Sequence, residues 1–428
     1  MAKPDLNVTD LVLLAGVGVL CVLTLLGDPP MADLLALWLA GQSLAEGVPH
    51  LVYPSETLFT IRPPLEWVPM AVAAGHDNQI FPFIYPPLTA AIMARVTEMM
   101  TFAGFTQIVH VMNVVLGVLT SWLAWRATGR VVRLSIFLFI GALIFHATII
   151  GTIALDQGQP QILVAFLTVL AIERLHADDQ VSAGALLAVA AAIKVFPVLF
   201  VVFLLARRQW AAVAGFAIVG AVLAGLSVAL TGWPLHAAFL HQLSTISQTA
   251  IILPLTFSLD SLIGGFSGLE YFLVPQISVP SWGEDVGLIG VVAKGALWGA
   301  LNKVALIGAL GALGWAFARH GTVLLWPAAM IVLSLLSPLA WSHHFLAAVA
   351  FAPAVLPRWG AGSLIVIFAP LSIPVLTLPA VGDSMIGNLS LTGALAMALL
   401  AVAMVVRPAH LGSLTGRLRS QPAAVPRP

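Results

Sequence analysis

Ala183-Gly184-Ala185-Leu186-Leu187-Ala188-Val189-Ala190-Ala191-Ala192-Ile193-Lys194-Val195-Phe196-Pro197-Val198-Leu199-Phe200-Val201-Val202-Phe203-Leu204-Leu205-Ala206 carries a single charge, Lys194, in an otherwise apolar run closed by Arg207-Arg208. A bilayer core needs about 20 apolar residues per helix, so this run reads as a membrane span with a lysine near its middle. Similar runs fall at about 10–27, 83–103, 107–126, 134–154, 161–177, 210–230, 287–316, 322–340, 344–357, 361–381 and 388–406. The segment 344–357 is short for a span, and 287–316 is long and contains Lys294 and Lys303.

The rest of the composition agrees. Of 428 residues, 60% are apolar and 8% charged, against about 25% charged in an ordinary soluble domain. Mean hydropathy is +1.03. Such a chain cannot clothe a water-facing surface with charge, which excludes a soluble enzyme, a secreted disulfide scaffold and a nucleic-acid binder. Backbone groups in lipid must be satisfied within the segment, so the runs are helices. The fold expected is an all-α polytopic membrane protein with about 10–13 transmembrane helices. Residues 1–406 form one integral membrane domain with large outer loops at 28–80 and 231–286, and 407–428 form a flexible basic cytoplasmic tail. The first run follows Lys3, Asp5 and Asp10 and lacks a basic n-region and a small-residue cleavage site, so it reads as an uncleaved helix. Cys21 is the one cysteine, which leaves no intramolecular disulfide and no cysteine-based zinc site.

Net charge is zero, but the charges are sorted. Segment 28–80 holds Asp28, Asp33, Glu46, Glu56, Glu66 and Asp77 against Arg62 alone, whereas the tail after residue 406 has arginines and no acid. By the positive-inside rule, Arg207-Arg208, Arg319, Arg358 and the tail are cytoplasmic. The two long loops and Trp341–His344 are then outside. On the same count Arg126, Arg130 and Arg133 fall outside, and Asp156–Gln161 falls inside. Either two helices before Arg207 pair as a re-entrant element, or the arginine cluster breaks the rule.

Several residues are candidates for chemistry. Asp33 precedes a helical run, Leu34–Ala45. It is placed to cap a helix start and equally to serve as a surface-held general base. Tyr85-Pro86-Pro87 opens an apolar run with a proline where the helix has no donor to lose and an aromatic at the interface. Asp156-Gln157-Gly158-Gln159-Pro160-Gln161 makes a polar turn whose amides suit sugar hydroxyls. An intramembrane lysine is expensive and functional by default, and for Lys194 a lipid phosphate is the partner that offsets its desolvation. His343 and His344, adjacent in Ser337-Pro338-Leu339-Ala340-Trp341-Ser342-His343-His344, cannot share a helix face. They read as ligands for a phosphate oxygen or a sugar hydroxyl. Arg62 reads as a guanidinium clamp for an anionic headgroup or as charge balance in its acidic loop. Asp260, His236 and His241 are weaker candidates. The sequence holds no G-x-S-x-G, P-loop or H-E-x-x-H pattern, and no metal site is expected.

Taken in order, Asp33 with Trp38 and Ala45-Glu46-Gly47, then Tyr85-Pro86-Pro87, Gly158-Gln159, Ala192-Ile193-Lys194-Val195-Phe196-Pro197 before Arg207-Arg208, and Ser337-Pro338 with Trp341-Ser342-His343-His344 resemble glycosyltransferase family 87. These are polytopic GT-C-type enzymes that include polyprenyl-phosphate-mannose-dependent alpha-mannosyltransferases. The resemblance implies a GT-C-like helix bundle in a bacterial inner membrane with its active site on the outer face. It implies a sugar, mannose for such members, moved from a polyprenyl-phosphate carrier to a glycolipid or periplasmic glycan acceptor without a cofactor. It also implies an outer-loop acid as base, a role that maps onto Asp33. Leu34 and Leu35 stand where the family has an aromatic after that acid, so Glu46, Glu56, Glu66 and Asp77 stay open as alternatives. Tyr85, Gln159, Lys194, Arg62, His343 and His344 are then the expected donor-binding groups. One carboxylate among cations suits single-step inversion, since retention would need a nucleophile as well. The rival functions are a secondary transporter with Lys194 on its substrate path and a non-catalytic membrane scaffold.

Overall fold

The computed structural model describes residues 6–54, 56–266, 268–279, 288–379 and 387–406. The expected basic tail, 407–428, and residues 280–286 of the second long loop lie outside them. Among the described residues, five helical stretches are long and apolar enough to cross a bilayer unaided: Val8–Leu25, Phe102–Ala127, Trp210–Ser247, Ala296–Arg319 and Ala352–Leu371.

The first helix, α1 (Val8–Leu25), rises about 27 Å at 1.5 Å per residue. At its foot Asp10 closes a capping box with Asn7 and accepts from Arg133 and Ser135. This is the basic end of the molecule. Beyond its top lie α2 (Ala32–Ala45), the short α3 (Trp67–Ala73) and α4 (Pro87–Met99). Gly41 of α2 backs directly onto Met93 of α4, and the two run side by side away from the bundle. The apolar run 83–103 is therefore not a crossing. Its helix carries an exposed Arg95–Glu98 pair, and only one face is buried.

The chain crosses back in α5 (Phe102–Ala127). His110 Nε2 contacts the Thr24 carbonyl at the top of α1, and Arg126 pairs with Glu173 at the basic end. The arginines 126, 130 and 133 thus join the other arginines. The helices α6 (Leu134–Ala147) and α7 (Ile149–Asp156) return together, with a break at Thr148. This brings Asp156–Gln161 to the loop end, opposite to the side a simple count of runs gives. After α8 (Gln161–His176) the basic end holds Arg174 and Glu173, a pair at 2.5 Å.

The decisive run, 183–206, is a hairpin. In it α9 (Gln180–Ile193) ascends and stops at Lys194, which is extended at φ −145 and ψ 122. Pro197 has no N–H for the Ile193 carbonyl, and its ring would press on that oxygen, so the helix cannot continue. A 3-10 turn over Phe196–Phe200 and α10 (Val201–Ala206) then descend to Arg207. Next to them α11 (Trp210–Ser247) rises parallel to α9. A Cβ on Gly184 would lie 1.9 Å from the Ala212 carbonyl oxygen, and one on Gly215 would lie 2.5 Å from the Val181 carbonyl. Small residues at such contacts let helix backbones meet in lipid. The start of α9 and the start of α11 therefore share the basic end, and Lys194 is the hairpin tip rather than the midpoint of a crossing helix.

At Gly232 (φ +74), just before Pro234, α11 breaks, and its second half belongs to the loop end. There lie β1 (Thr249–Ile252), α12 (Leu259–Phe266), β2 (Phe272–Pro275) and β3 (Leu288–Ala293). The strands form an antiparallel sheet in the order β1-β3-β2. Next, α13 (Ala296–Arg319) descends along α10, and α14 (Leu325–Leu335) ascends. A 3-10 turn at Ser342–Phe345 and α15 (Leu346–Val349) lead back to α16 (Leu356–Phe368). After the short α17 (Ile373–Leu376) the last described helix, α18 (Leu389–Val405), returns to the basic end. Its final carbonyls at Met404 and Ala403 accept from Arg358 and Trp359. The chain is an all-α polytopic membrane protein.

Candidate functional site

A cavity of about 260 Å³ opens at the root of the loop end, where the top of the bundle meets both long polar segments. Its polar lining includes Asp33, Tyr85, Gln157, Gln159, Lys194 and His343. Phe59, Ile61, Leu253, Leu255, Leu288 and Trp341 are among its apolar walls.

The carboxylate is positioned by two turns docked backbone to backbone. Met31 sits in the left-handed region (φ 53) and donates its N–H to the Asp156 carbonyl at 2.8 Å, while Leu34 donates to the Gln157 carbonyl at 3.1 Å. The unpaired donors at the start of α2 are thus met by the α7–α8 turn. That approach needs Gly158. At φ +63, a side chain there would meet Met31 Sδ at 2.6 Å and Leu34 Cβ at 2.9 Å. Asp33 in the first turn of α2 then receives a hydrogen bond from Gln159 Nε2. The amide is oriented in turn by Tyr85, whose hydroxyl donates to Gln159 Oε1 at 3.2 Å. Tyr53 donates to the Tyr85 carbonyl at 2.6 Å and so anchors the Tyr85-Pro86-Pro87 step. Burial pushes the Asp33 carboxyl up to about 7, against the pull of the Lys194 charge and the Gln159 hydrogen bond. A carboxyl poised near neutrality is suited to general base work.

Lys194 enters from the hairpin tip. Its Nζ is 2.8 Å from His344 Nε2 and 5.9 Å from the Tyr85 ring centroid. The histidine turn is tied down by Phe257 N–H to Ala340 O at 2.7 Å, Ser342 N–H to Leu255 O at 2.9 Å and Ser342 Oγ to Ile149 O at 3.2 Å. His343 and His344 hold their rings perpendicular, 4.9 Å apart. Only His343 is among the described lining residues, and His344 reaches the site through Lys194.

The structure therefore brings Asp33, Tyr85, Gln159, Lys194, His343 and His344 into one place. Arg62 does not line the cavity. Its neighbour Ile61 (φ 58) takes the inward place and is buried in the wall. Of the alternative acids, Glu46 accepts from Gln42 on an exposed surface, and Glu56 holds Thr60 in its own turn. Glu66 and Asp77 are exposed. Asp260 is engaged by Lys294, Trp298 and Asn302 behind the sheet. His236 bonds Ser227 and the Gly232 carbonyl at the break in α11.

Gln79 and Gln276 were not singled out in the sequence, and Gln157 only as part of its polar turn, although all three line the cavity. The roof is a pairing of the two polar segments. Gln79 bridges Ser278, Ile80 N–H donates to Ile277 O, and Val279 N–H donates to Asn78 O. Three buried polar atoms in this lining lack a partner: Gln157 Oε1, Gln276 Nε2 and His343 Nδ1. Buried polar atoms are normally paired, so an arrangement of this kind suits a polar occupant.

The model described as Glycosyltransferase family 87 matches residues 83–342 of this chain, most of its length. The match includes Tyr85, Gln159 and Lys194, begins after Asp33, and ends one residue before His343. No curated protein matches the chain.

Proposed function

The chain belongs to glycosyltransferase family 87 and is a membrane glycosyltransferase; from that premise we propose that it moves mannose from a polyprenyl-phosphate carrier to a lipid-linked or periplasmic acceptor, with inversion, at the cavity around Asp33. The transporter and scaffold readings give way to the family. The observation that carries the proposal is the sharing of one cavity by a single carboxylate, Asp33, and a cation, Lys194, among the described lining residues. The basic end is cytoplasmic under the positive-inside rule, and the cavity then faces outside.

Asp33 takes the proton of the acceptor hydroxyl as that oxygen attacks the anomeric carbon. The bond from the anomeric carbon to the phosphate oxygen breaks on the opposite face, and the phosphate leaves with the electron pair. Lys194, steadied by His344, meets the charge that grows on the phosphate, where a preformed cation is worth most. The apolar wall and the lipid-facing bundle suit a prenyl chain. A lone carboxylate supports a single displacement, because a retaining route would need a second carboxylate as nucleophile, by analogy with glycoside hydrolysis.

The test is incubation of purified protein with labelled polyprenyl-phosphate-mannose and a membrane lipid extract. Labelled glycolipid or glycan should appear with wild type and not with Asp33→Asn. Label that stays on the carrier with wild type overturns the choice of donor. Full transfer by Asp33→Asn overturns the base.

A further inference from the structure

Gln157 and Gln276 come from distant parts of the chain, the α7–α8 turn and the segment after β2, and meet in one cavity. Gln276 is 6% exposed, and its Nε2 is a buried donor with nothing to donate to. Gln157 Oε1 is a buried acceptor with nothing to accept from. Buried polar atoms are normally paired, so each calls for a partner. Among the other polar lining groups, Gln159 is held between Tyr85 and Asp33 and Lys194 by His344, while His343 Nδ1 is a third unpaired atom.

We propose that Gln157 and Gln276 are specificity-determining residues that bind hydroxyl groups of the transferred sugar. The reading rests on the function proposed above. A phosphate dianion carries acceptors only and cannot satisfy Gln157 Oε1, whereas a hydroxyl both donates and accepts and matches both orphan atoms. Gln157 shares its turn with Gln159, so the group that accepts from the sugar is rigidly tied to the group that holds the base. Gln276 belongs to the roof formed with residues 78–80, so sugar recognition and closure of the cavity involve the same segment. Neither side chain touches the bonds that change. Both bind and orient.

The experiment measures kcat/KM for wild type, Gln157→Met, Gln276→Met and the shorter amide variant Gln276→Asn. The donors are polyprenyl-phosphate-mannose, -glucose and -galactose, followed by the four monodeoxy forms of whichever one is consumed. Unchanged thermal unfolding in detergent identifies the variants that fold. In wild type, loss of the hydroxyl held by an amide should lower kcat/KM roughly 10- to 100-fold. Each methionine variant should lose a similar factor with the parent sugar and nothing further with that same deoxy donor, as in a closed double-mutant cycle. Gln276→Asn should follow Gln276→Met.

Penalties that multiply independently for every hydroxyl would overturn the proposal and leave the amides holding only water. A wild type that transfers from none of these donors would instead overturn the functional reading beneath it. Transfer that is abolished by Asp33→Asn but indifferent to both glutamine variants would sink the sugar contacts alone.

Discussion

Lys194 Nζ and His344 Nε2 stand 2.8 Å apart across 150 residues of sequence. The ammonium can only donate, so the imidazole accepts at Nε2 and its proton is on Nδ1. The backbone at Leu339 also hydrogen-bonds His344, which fixes the ring from its own turn. Lys194→Met removes the one cation in the described lining. Donor KM should rise roughly 10- to 100-fold, the worth of a hydrogen bond to a charged group, with a smaller change in acceptor KM. His344→Leu leaves the ammonium in place without its guide, and the rise in donor KM should be less, about 2- to 10-fold. Initial-rate kinetics with each substrate varied in turn separate the two, and equal effects on both substrates would count against a donor role.

Asp33→Asn keeps the shape of the side chain and its hydrogen bond to Gln159 but cannot take a proton. Turnover should fall by about 10²- to 10⁴-fold with donor KM little changed. A variant that loses donor affinity while keeping turnover would argue for a binding role instead.

The pH dependence follows from the same carboxyl. Only its ionised form is a base, so turnover should fall about tenfold per pH unit below about 7. The stability linkage has the opposite slope. The folded state holds the Asp33 proton more tightly than the unfolded chain, whose carboxyl has the ordinary value of 3.8. This stabilising contribution is complete below about 4 and is lost as pH rises through about 7. Asp33→Asn lacks that loss. Its unfolding temperature relative to wild type should climb between pH 4 and 7 and then stay constant. A flat difference across this window would show that Asp33 has an unshifted pKa.

Gly158→Ala tests the docking of the turn on α2. The added methyl meets Met31 and Leu34 inside contact distance at a positive φ, and the strain should be about 1–3 kcal/mol. Since the turn carries both Gln157 and Gln159, a displacement of 1 Å should lower turnover by about 10²-fold. The measurement is the rate at saturating donor alongside an unfolding curve. A variant with unaltered rate would mean that the turn does not set the geometry of the base.

Sidedness can be read with a membrane-impermeant thiol reagent on intact cells in a Cys21→Ala background. Glu46→Cys, exposed at the loop end, should be labelled from outside. Asp178→Cys, exposed at the basic end, should react only after the membrane is opened. The reverse pattern would put the cavity in the cytoplasm.

Much of this was legible in the residues. Lys194 was visible because a charge in an apolar run is an anomaly, and Asp33 because it opens a helix in an acidic segment. Gln159 and the histidines stood in short polar steps between runs. Arg62 lies off the cavity lining, since a loop sequence does not state which of two adjacent residues turns inward, and Ile61 does. Gln276 gave no signal at all, since one amide in a long polar segment follows no period. The hairpin was hidden for a different reason. A run of 24 residues that is apolar but for Lys194 reads alike whether it crosses or turns back, and the prohibition that Pro197 places on the Ile193 carbonyl separates the two. The run 83–103 misled through mean hydropathy, which overlooked Arg95 and Glu98 on its exposed face.

Sidedness in a polytopic chain is a matter of parity. A non-crossing element inverts the side of everything after it, and a second one restores it. Counting runs treats 83–103 as a crossing, which inverts Arg126–Arg133 and Asp156–Gln161, and then treats 183–206 as another, which rights the remainder. The hairpin of α9 and α10 therefore acts as a hidden even number. With it, every arginine-rich turn from residue 126 to 358 comes to the same end. Straightening it into a true crossing would reverse the orientation of the whole C-terminal half and carry His343 and His344 away from Asp33.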